Sequence, residues 1–475
     1  MKVALKRATL QFSFLIPLFL FLFLLFTNNW KLTFLELAAI VVTLIVLKDP
    51  YWGLCLMFFL MPLEEATQII PNWTAVKGLG YLVLGAYLLN LFIKKKSIYI
   101  IKPFHILFVF VLLRGMSSLW AFYKGAFQIY AMLNLLMQVA FIFLIAQLIT
   151  TVDKLKFIVF SYLLGAAAAS IWGLYNLFSH PTLFRLSLVI YPEARRGMFA
   201  PIYASVLSLG LLFSLSMLLA SKRKIMKFFY LIVVILLFAP LLSSGLRGGI
   251  ASLGFSALIT IIYLSLRERK PDIIIYLFIL GVLGYLSYTL APMPVKQRYE
   301  KETVFTGFKD RMECWKIGVV EILEAPILGV GLSNSGLLAD SIRAIALSKY
   351  GINISARLAT DWVPYEYYYP LGIRDIHNIY LEVCAEGGLI TLAIFIWFIV
   401  SIAKMLFKSL RMVPMYSELW QMGLGLLASF VFVLFIGMSE PVLNRKIFWS
   451  IFGLIIAFYR IVTENKQNKY KEEQL

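Results

Sequence analysis

"KFFYLIVVILLFAPLLSSGLRGGIASLGFSALITIIYLSLRERK", residues 227–270, decides the class of fold. Two apolar runs, 227–243 and 248–266, are separated by a short turn that holds Arg247. Each run approaches the roughly 17–25 residues a helix needs to cross the apolar core of a bilayer. Basic residues stand at the two open ends, with Lys227 opening the first run and Arg267, Arg269 and Lys270 after the second. A hairpin with that charge pattern enters and leaves a membrane on the same, positively charged side.

The pattern recurs along all 475 residues, which are 61% hydrophobic and 16% aromatic. The mean hydropathy is +0.85. A soluble chain of this length would need far more polar residue to cover its surface. Spans are expected near 11–27, 32–47, 51–63, 76–93, 103–121, 127–149, 156–178, 198–220, 227–243, 248–266, 272–291, 378–403, 417–438 and 447–462. The third is short, and pairing it with a neighbour as a re-entrant hairpin lowers the count from 14 to 12. The expectation is an all-α polytopic membrane protein. The basic start before the first apolar run lacks a clear small-residue cleavage site, so that run reads as a retained span.

The net charge of +19 does not form a nucleic-acid patch. Alternate short connections, from "MKVALKR" through "IKKKSIYIIK" and "ASKRKIMK" to the tail, hold 24 Lys and Arg, and the opposite short loops hold nine. Positive charge stays inside, which places both termini in the cytoplasm. The domains are then helices over 1–291, an extracytoplasmic loop domain over 292–375, further helices over 376–463 and a cytoplasmic tail over 464–475. The loop domain carries ten basic and ten acidic residues, so it is not a basic arm. Cys55, Cys314 and Cys384 are scattered and suggest neither a disulfide framework nor a zinc site.

This orientation gathers the informative residues on the outer side. In "SSGLRGGIASLGFSALI" (243–259), Ser243 and Ser244 are candidate caps, and the following helix start favours an anion that Arg247 can fork. A snorkelling anchor is the plainer reading of Arg247. In "YPEARRGMFAPIYASVLSLG" (191–210), Arg195 and Arg196 precede another outward helix end, and an ion pair with Glu193 is the alternative. "FKDRMECWKIGVVEILEAPILGVGLSNS" (308–335) reads as an amphipathic helix on the membrane surface. Asp310 is its expected N-cap, Met312, Trp315, Val319, Ile322 and Leu323 form its apolar face, Pro326 is its stop, and Arg311 lies off the stripe. "WVPYEYYYPLG" (362–372) reads as an interfacial aromatic belt or a surface for stacking on sugars. Arg114 lies inside a span, where it either pairs with an acid such as Glu36 or lines a cavity.

In "RDIHNIYLEVCAEGG" (374–388), Arg374, His377 and Asn378 mark the return to the membrane. His377 is followed by Tyr380, Glu382 and Glu386, an unusually polar opening for a span. Imidazole suits proton transfer near neutrality. Several Arg and one His at an outer cavity fit a diphosphate leaving group and a hydroxyl nucleophile. No nucleotide sugar is available there, so the donor must be carried by lipid. The Arg groups would stabilise the departing diphosphate and His377 would act as general base, with inversion at the sugar carbon. There is no H-E-x-x-H, G-x-S-x-G or D-x-D pattern, so no metal or other cofactor is expected.

Four stretches in this order, "RRGMFAP", "SSGLRGG", "R…W…PILGVG" and "HNIYLEVCAEGGLITLAIF", resemble the O-antigen ligase and O-antigen polymerase superfamily of bacterial envelope glycosyltransferases. They span roughly residues 190–400, and the first 180 residues carry no matching motif. The resemblance implies a C-type glycosyltransferase architecture and an undecaprenyl-diphosphate-linked glycan as donor. It implies diphosphate binding by Arg195 or Arg196 and by Arg247, and an essential role for His377. Arg311 matches the basic residue ahead of the Trp; Arg374 and Asn378 stand beside the same site. Pro201-Ile202 departs from the Pro-Asn common in the family. The implied acceptor is lipid A–core for a ligase and a growing glycan for a polymerase, in the bacterial cytoplasmic membrane among its lipids and without nucleic acid. A transporter of lipid-linked glycan or a small anion is the reading from another class. It would require broken mid-membrane helices and inverted repeats.

Overall fold

A computed structural model describes residues 30–64, 67–70, 73–95, 98–121, 126–179, 200–243, 247–268, 289, 304–335, 339–354 and 376–474. The chain is an all-helical polytopic membrane protein. Its first helices are α1 (Trp30–Lys48), α2 (Pro50–Leu60), α3 (Ala75–Lys94), α4 (Lys102–Ser117), α5 (Ala126–Leu148) and α6 (Val152–Ser179). Then come α7 (Ala200–Ala220), α8 (Lys224–Ser243), α9 (Arg247–Glu268), α10 (Val304–Glu324) and α11 (Ala339–Tyr350). The chain closes with α12 (Ile379–Met412), α13 (Glu418–Ile436) and α14 (Lys446–Gln474). A short antiparallel ribbon, Gln68–Ile70 with Trp73–Thr74, links α2 to α3.

Among the described residues nine helices are long and apolar enough to cross a membrane. The remaining expected spans at 32–47, 51–63 and 103–121 coincide with α1, α2 and α4, which are shorter or partly described. Those at 11–27 and, apart from residue 289, 272–291 lie outside the described residues.

Burial sorts the spans into centre and rim. In α7, α13 and α14 about four-fifths of the apolar stretch is buried, whereas α9 buries 22%. The rim helices turn side chains such as Phe92, Phe228, Ile235 and Leu266 outward, where they meet lipid. At the centre, Phe398, Trp449 and Phe452 interlock with ring centroids 5.3–6.4 Å apart.

Contacts also sort the helix ends. At one end Tyr51 donates to the Lys154 carbonyl at 2.9 Å, Gln147 bonds both ways with the Tyr99 backbone, and Arg460 donates to the Ala146 carbonyl at 3.2 Å. At the other, Lys446 pairs with Glu64, Gln138 donates to the Asn444 carbonyl at 3.1 Å, and Arg311 pairs with Glu440. These are the same two groups of loops that the charge count separates.

Candidate functional site

Four elements converge at the second end. Helix α9 starts at Arg247, and a side chain at Gly248 would meet Ser439 Oγ at 2.9 Å and Glu440 Oε1 at 3.6 Å. One at Gly249 would meet Ala204 Cβ of α7 at 3.2 Å, so two helix beginnings touch here through small residues. The α9–α13 seam continues inward with Phe255 stacked on Phe435 at 4.9 Å and Ser256 donating to the Ala428 carbonyl at 2.5 Å.

Helix α10 brings Arg311, whose Nη2 lies 2.6 Å from Glu440 Oε1. Cys314, Ile317 and Val320 form its buried face, with Ile317 and Val320 packed against Ile342, Ala346 and Ile354. Met312, Val319 and Leu323 are exposed on another side. The helix starts at Val304, so Asp310 lies inside it and is not the expected N-cap. It ends at Glu324, just before Pro326, as expected.

The fourth element is the start of α12. Ile376 fits against Gly318 of α10, and Ile379 N–H donates to the Gly437 carbonyl at 2.8 Å. Between them His377 adopts φ +53°, a left-handed conformation in which His is enriched among non-glycine residues. Asn378 is first of all the N-cap, its Oδ1 accepting from the N–H groups of Tyr380 at 3.0 Å and Leu381 at 3.2 Å. The segment 437–440 after α13 is thus the hub. Gly437 holds the histidine end of α12, Ser439 touches the Arg247 end of α9, and Glu440 holds Arg311.

Residues 231–396 match the O-antigen ligase family.

The match covers about a third of the chain and includes Arg247, Arg311, His377 and Asn378. It supports the resemblance drawn from the sequence motifs and a glycosyltransferase activity of the O-antigen ligase or polymerase type in lipopolysaccharide biosynthesis. A lipid-linked glycan and an acceptor are the general substrates this implies. No curated protein matches the chain.

Arg195, Arg196 and Arg374 lie outside the described residues, as does the aromatic stretch 362–372. Helix α8 ends at Ser243, which therefore belongs to the helix before the turn; Ser244 and Gly245 are not described. Arg114 pairs with Glu386 and not with Glu36.

The hub has a neighbour that sequence reasoning missed. Glu64 accepts from the Thr74 hydroxyl at 2.9 Å and pairs with Lys446, with Arg445 close by. Burial alone would raise the Glu64 carboxyl. Lys446, Thr74 and Arg445 together outweigh burial and hold it below its ordinary value. Its signal in the sequence is weak, because Glu64 and Lys446 are 382 residues apart.

Proposed function

We propose that the protein is an O-antigen ligase-type glycosyltransferase that moves a glycan from undecaprenyl diphosphate to an acceptor hydroxyl on lipid A–core or a similar glycolipid. The end that holds His377 would face the periplasm, both termini would be cytoplasmic, and 292–375 would be the periplasmic loop domain. The observation that carries this reading is the convergence on 437–440 of α10 and the starts of α9 and α12, three elements that fall in the family-matched segment.

In the proposed reaction the acceptor oxygen attacks the anomeric carbon from the face opposite the diphosphate. The new C–O bond forms as the old one breaks, and undecaprenyl diphosphate leaves with the bonding electrons. His377 takes the acceptor proton and returns it to water. Arg247, with Arg195 or Arg196, neutralises the leaving diphosphate through charge-assisted hydrogen bonds. Arg311 is already held by Glu440, so it acts from the side, as do Arg374 and Asn378.

Purified protein in lipid vesicles, supplied with undecaprenyl-diphosphate glycan and candidate acceptors, tests the proposal. Release of undecaprenyl diphosphate with a new glycan linkage is expected, and His377→Ala should lower turnover by about 10²–10⁴-fold. Arg247→Ala should weaken donor binding about 10-fold or more. Full turnover by the histidine variant would refute the general-base role. Transfer to a second lipid-linked glycan in place of lipid A–core would make the enzyme a polymerase.

Among the described residues, the break in α12 at Gly388 is a feature that favours a transporter. The Pro326–Gly331 loop fills that break with protein backbone, which leaves it closed to a passing solute.

A further inference from the structure

Helix α12 is two helices. Gly388 has φ +78° and ψ 176°, which separates an outer segment, 379–387, from the long inner one. The carbonyls and N–H groups freed by the break are taken up by the loop after α10. Val330 N–H donates to the Ala385 carbonyl at 2.8 Å, Gly331 N–H to the Glu386 carbonyl at 3.0 Å, and Leu389 N–H to the Pro326 carbonyl at 2.8 Å. The same loop is wedged against α4, since a side chain at Gly331 would collide with Ala121 and approach the Ser117 carbonyl at 3.1 Å.

At this junction lies an ion pair that the reaction above does not use. Arg114 of α4 pairs with Glu386, and their side chains are 3% and 4% exposed. The Ser335 hydroxyl, just past the loop, donates to the other Glu386 oxygen at 2.9 Å. One carboxylate therefore ties together α4, the loop and the broken helix. Two arms leave this junction. One is α10, joined to the loop through the Gly329 N–H to Ala325 carbonyl bond at 3.0 Å, and it carries Arg311. The other is the outer segment of α12, about 13 Å long at 1.5 Å per residue, and it carries His377 at its far end.

We propose that Arg114 and Glu386 are positioning residues. Their pair selects one register of the Pro326–Gly331 loop in the α12 break, and so fixes the Arg311 helix against the His377 segment. This rests on the transferase reading. A buried pair adds little net stability over well-packed apolar residues, and its contribution is to specify one arrangement. Three backbone bonds alone do not specify a register, because a slipped loop presents the same N–H and carbonyl groups. The Glu386 carboxylate accepts from one Arg and one Ser at fixed places, and a slipped loop would lose Ser335.

The test compares Glu386→Gln, Ser335→Ala and the apolar double variant Arg114→Met/Glu386→Leu with the full-length protein in vesicles. Two measurements are made: glycan transfer with undecaprenyl-diphosphate glycan, and hydrogen exchange at Val330, Gly331 and Leu389. The double variant should fold with a melting temperature near that of the unmodified protein. Its kcat should fall about 100-fold with KM within about twofold, because misplacing a catalytic group by about 1 Å costs that much. Exchange at the three amides should rise about 10-fold or more, as for a locally opened segment. Ser335→Ala should show the same pattern at smaller size. A folded double variant with unaltered kcat, or with the three amides still protected, would overturn the proposal, even if Glu386→Gln itself failed to fold. If the unmodified protein transfers no glycan, the transferase reading fails, and exchange alone decides whether the pair sets the loop.

Discussion

The two ends of the helix bundle hold their charges differently. At the end that carries His377, three of the described pairs have at least one partner taken out of solvent: Arg114–Glu386 at 3% and 4% exposure, Lys446–Glu64 at 7% and 20%, and Arg311–Glu440 at 30% and 5%. At the opposite end, Glu418 in its pair with Lys156 is 37% exposed and Glu464 in its pair with Arg460 is 44% exposed. Exposed pairs are worth little and tolerate loss, whereas removing one partner of a buried pair leaves a charge that the interior cannot solvate. The first end is therefore specified by its charges, and the second only decorated by them.

The strongest way to break this contrast lies in the backbone of the first end. Gly388→Ala should lower stability by about 3 kcal/mol or more, because its φ of +78° with ψ of 176° is open only to glycine and a side chain would overlap the Ile327 carbonyl. Gly254→Ala in α9 is the control; nothing lies within 4 Å of its would-be side chain, so thermal melting in detergent should stay flat or rise slightly. Next in size is Arg311→Ala, which removes the 2.6 Å partner of a nearly buried carboxylate and should cost about 1–3 kcal/mol. Adding Glu440→Gln should recover most of that loss, and a double-variant melt with no recovery would show that charge is not what the pair contributes.

At the opposite end, Lys156→Ala should change stability by about 0–1 kcal/mol. A larger loss there would erase the distinction between the ends. The smallest effect belongs to α10 and α11. Glu324 accepts from Tyr350 at 2.7 Å and Lys349 at 2.9 Å, which lowers its carboxyl below the ordinary value. A lowered carboxyl stabilises the folded state above its unfolded value and loses that contribution as pH falls through the folded one. Unfolding of α10–α11 should therefore become slightly easier on acidification, and Glu324→Gln should flatten that slope.

Much of the membrane architecture is legible in the sequence, because apolar length is a local property. Fourteen runs are visible in it, and those within the described residues fall on helices. The site is legible only in part. His377, Asn378 and Arg247 announce themselves as polar groups beside apolar runs, and Pro326 ends α10 where expected. The ion pairs do not, since no local pattern joins Arg114 to Glu386 across 272 residues or Arg311 to Glu440 across 129. A membrane-depth Arg demands an acidic partner, and that demand was readable, but Glu36 and Glu386 satisfy it equally on paper. The start of α10 is not legible, because Asp310 resembles a cap while the helix runs six residues further back, to Val304.

The left-handed backbone of His377 bears on how its role should be dissected. An alanine there removes the imidazole and also meets a conformational penalty of about 1–2 kcal/mol, so two losses would be read as one. Asparagine and glycine accept φ +53° readily and lack the proton acceptor. A replacement series of Asn, Gly and Ala therefore separates what the ring does from what the bend does. Any activity gap between glycine and alanine measures the bend alone.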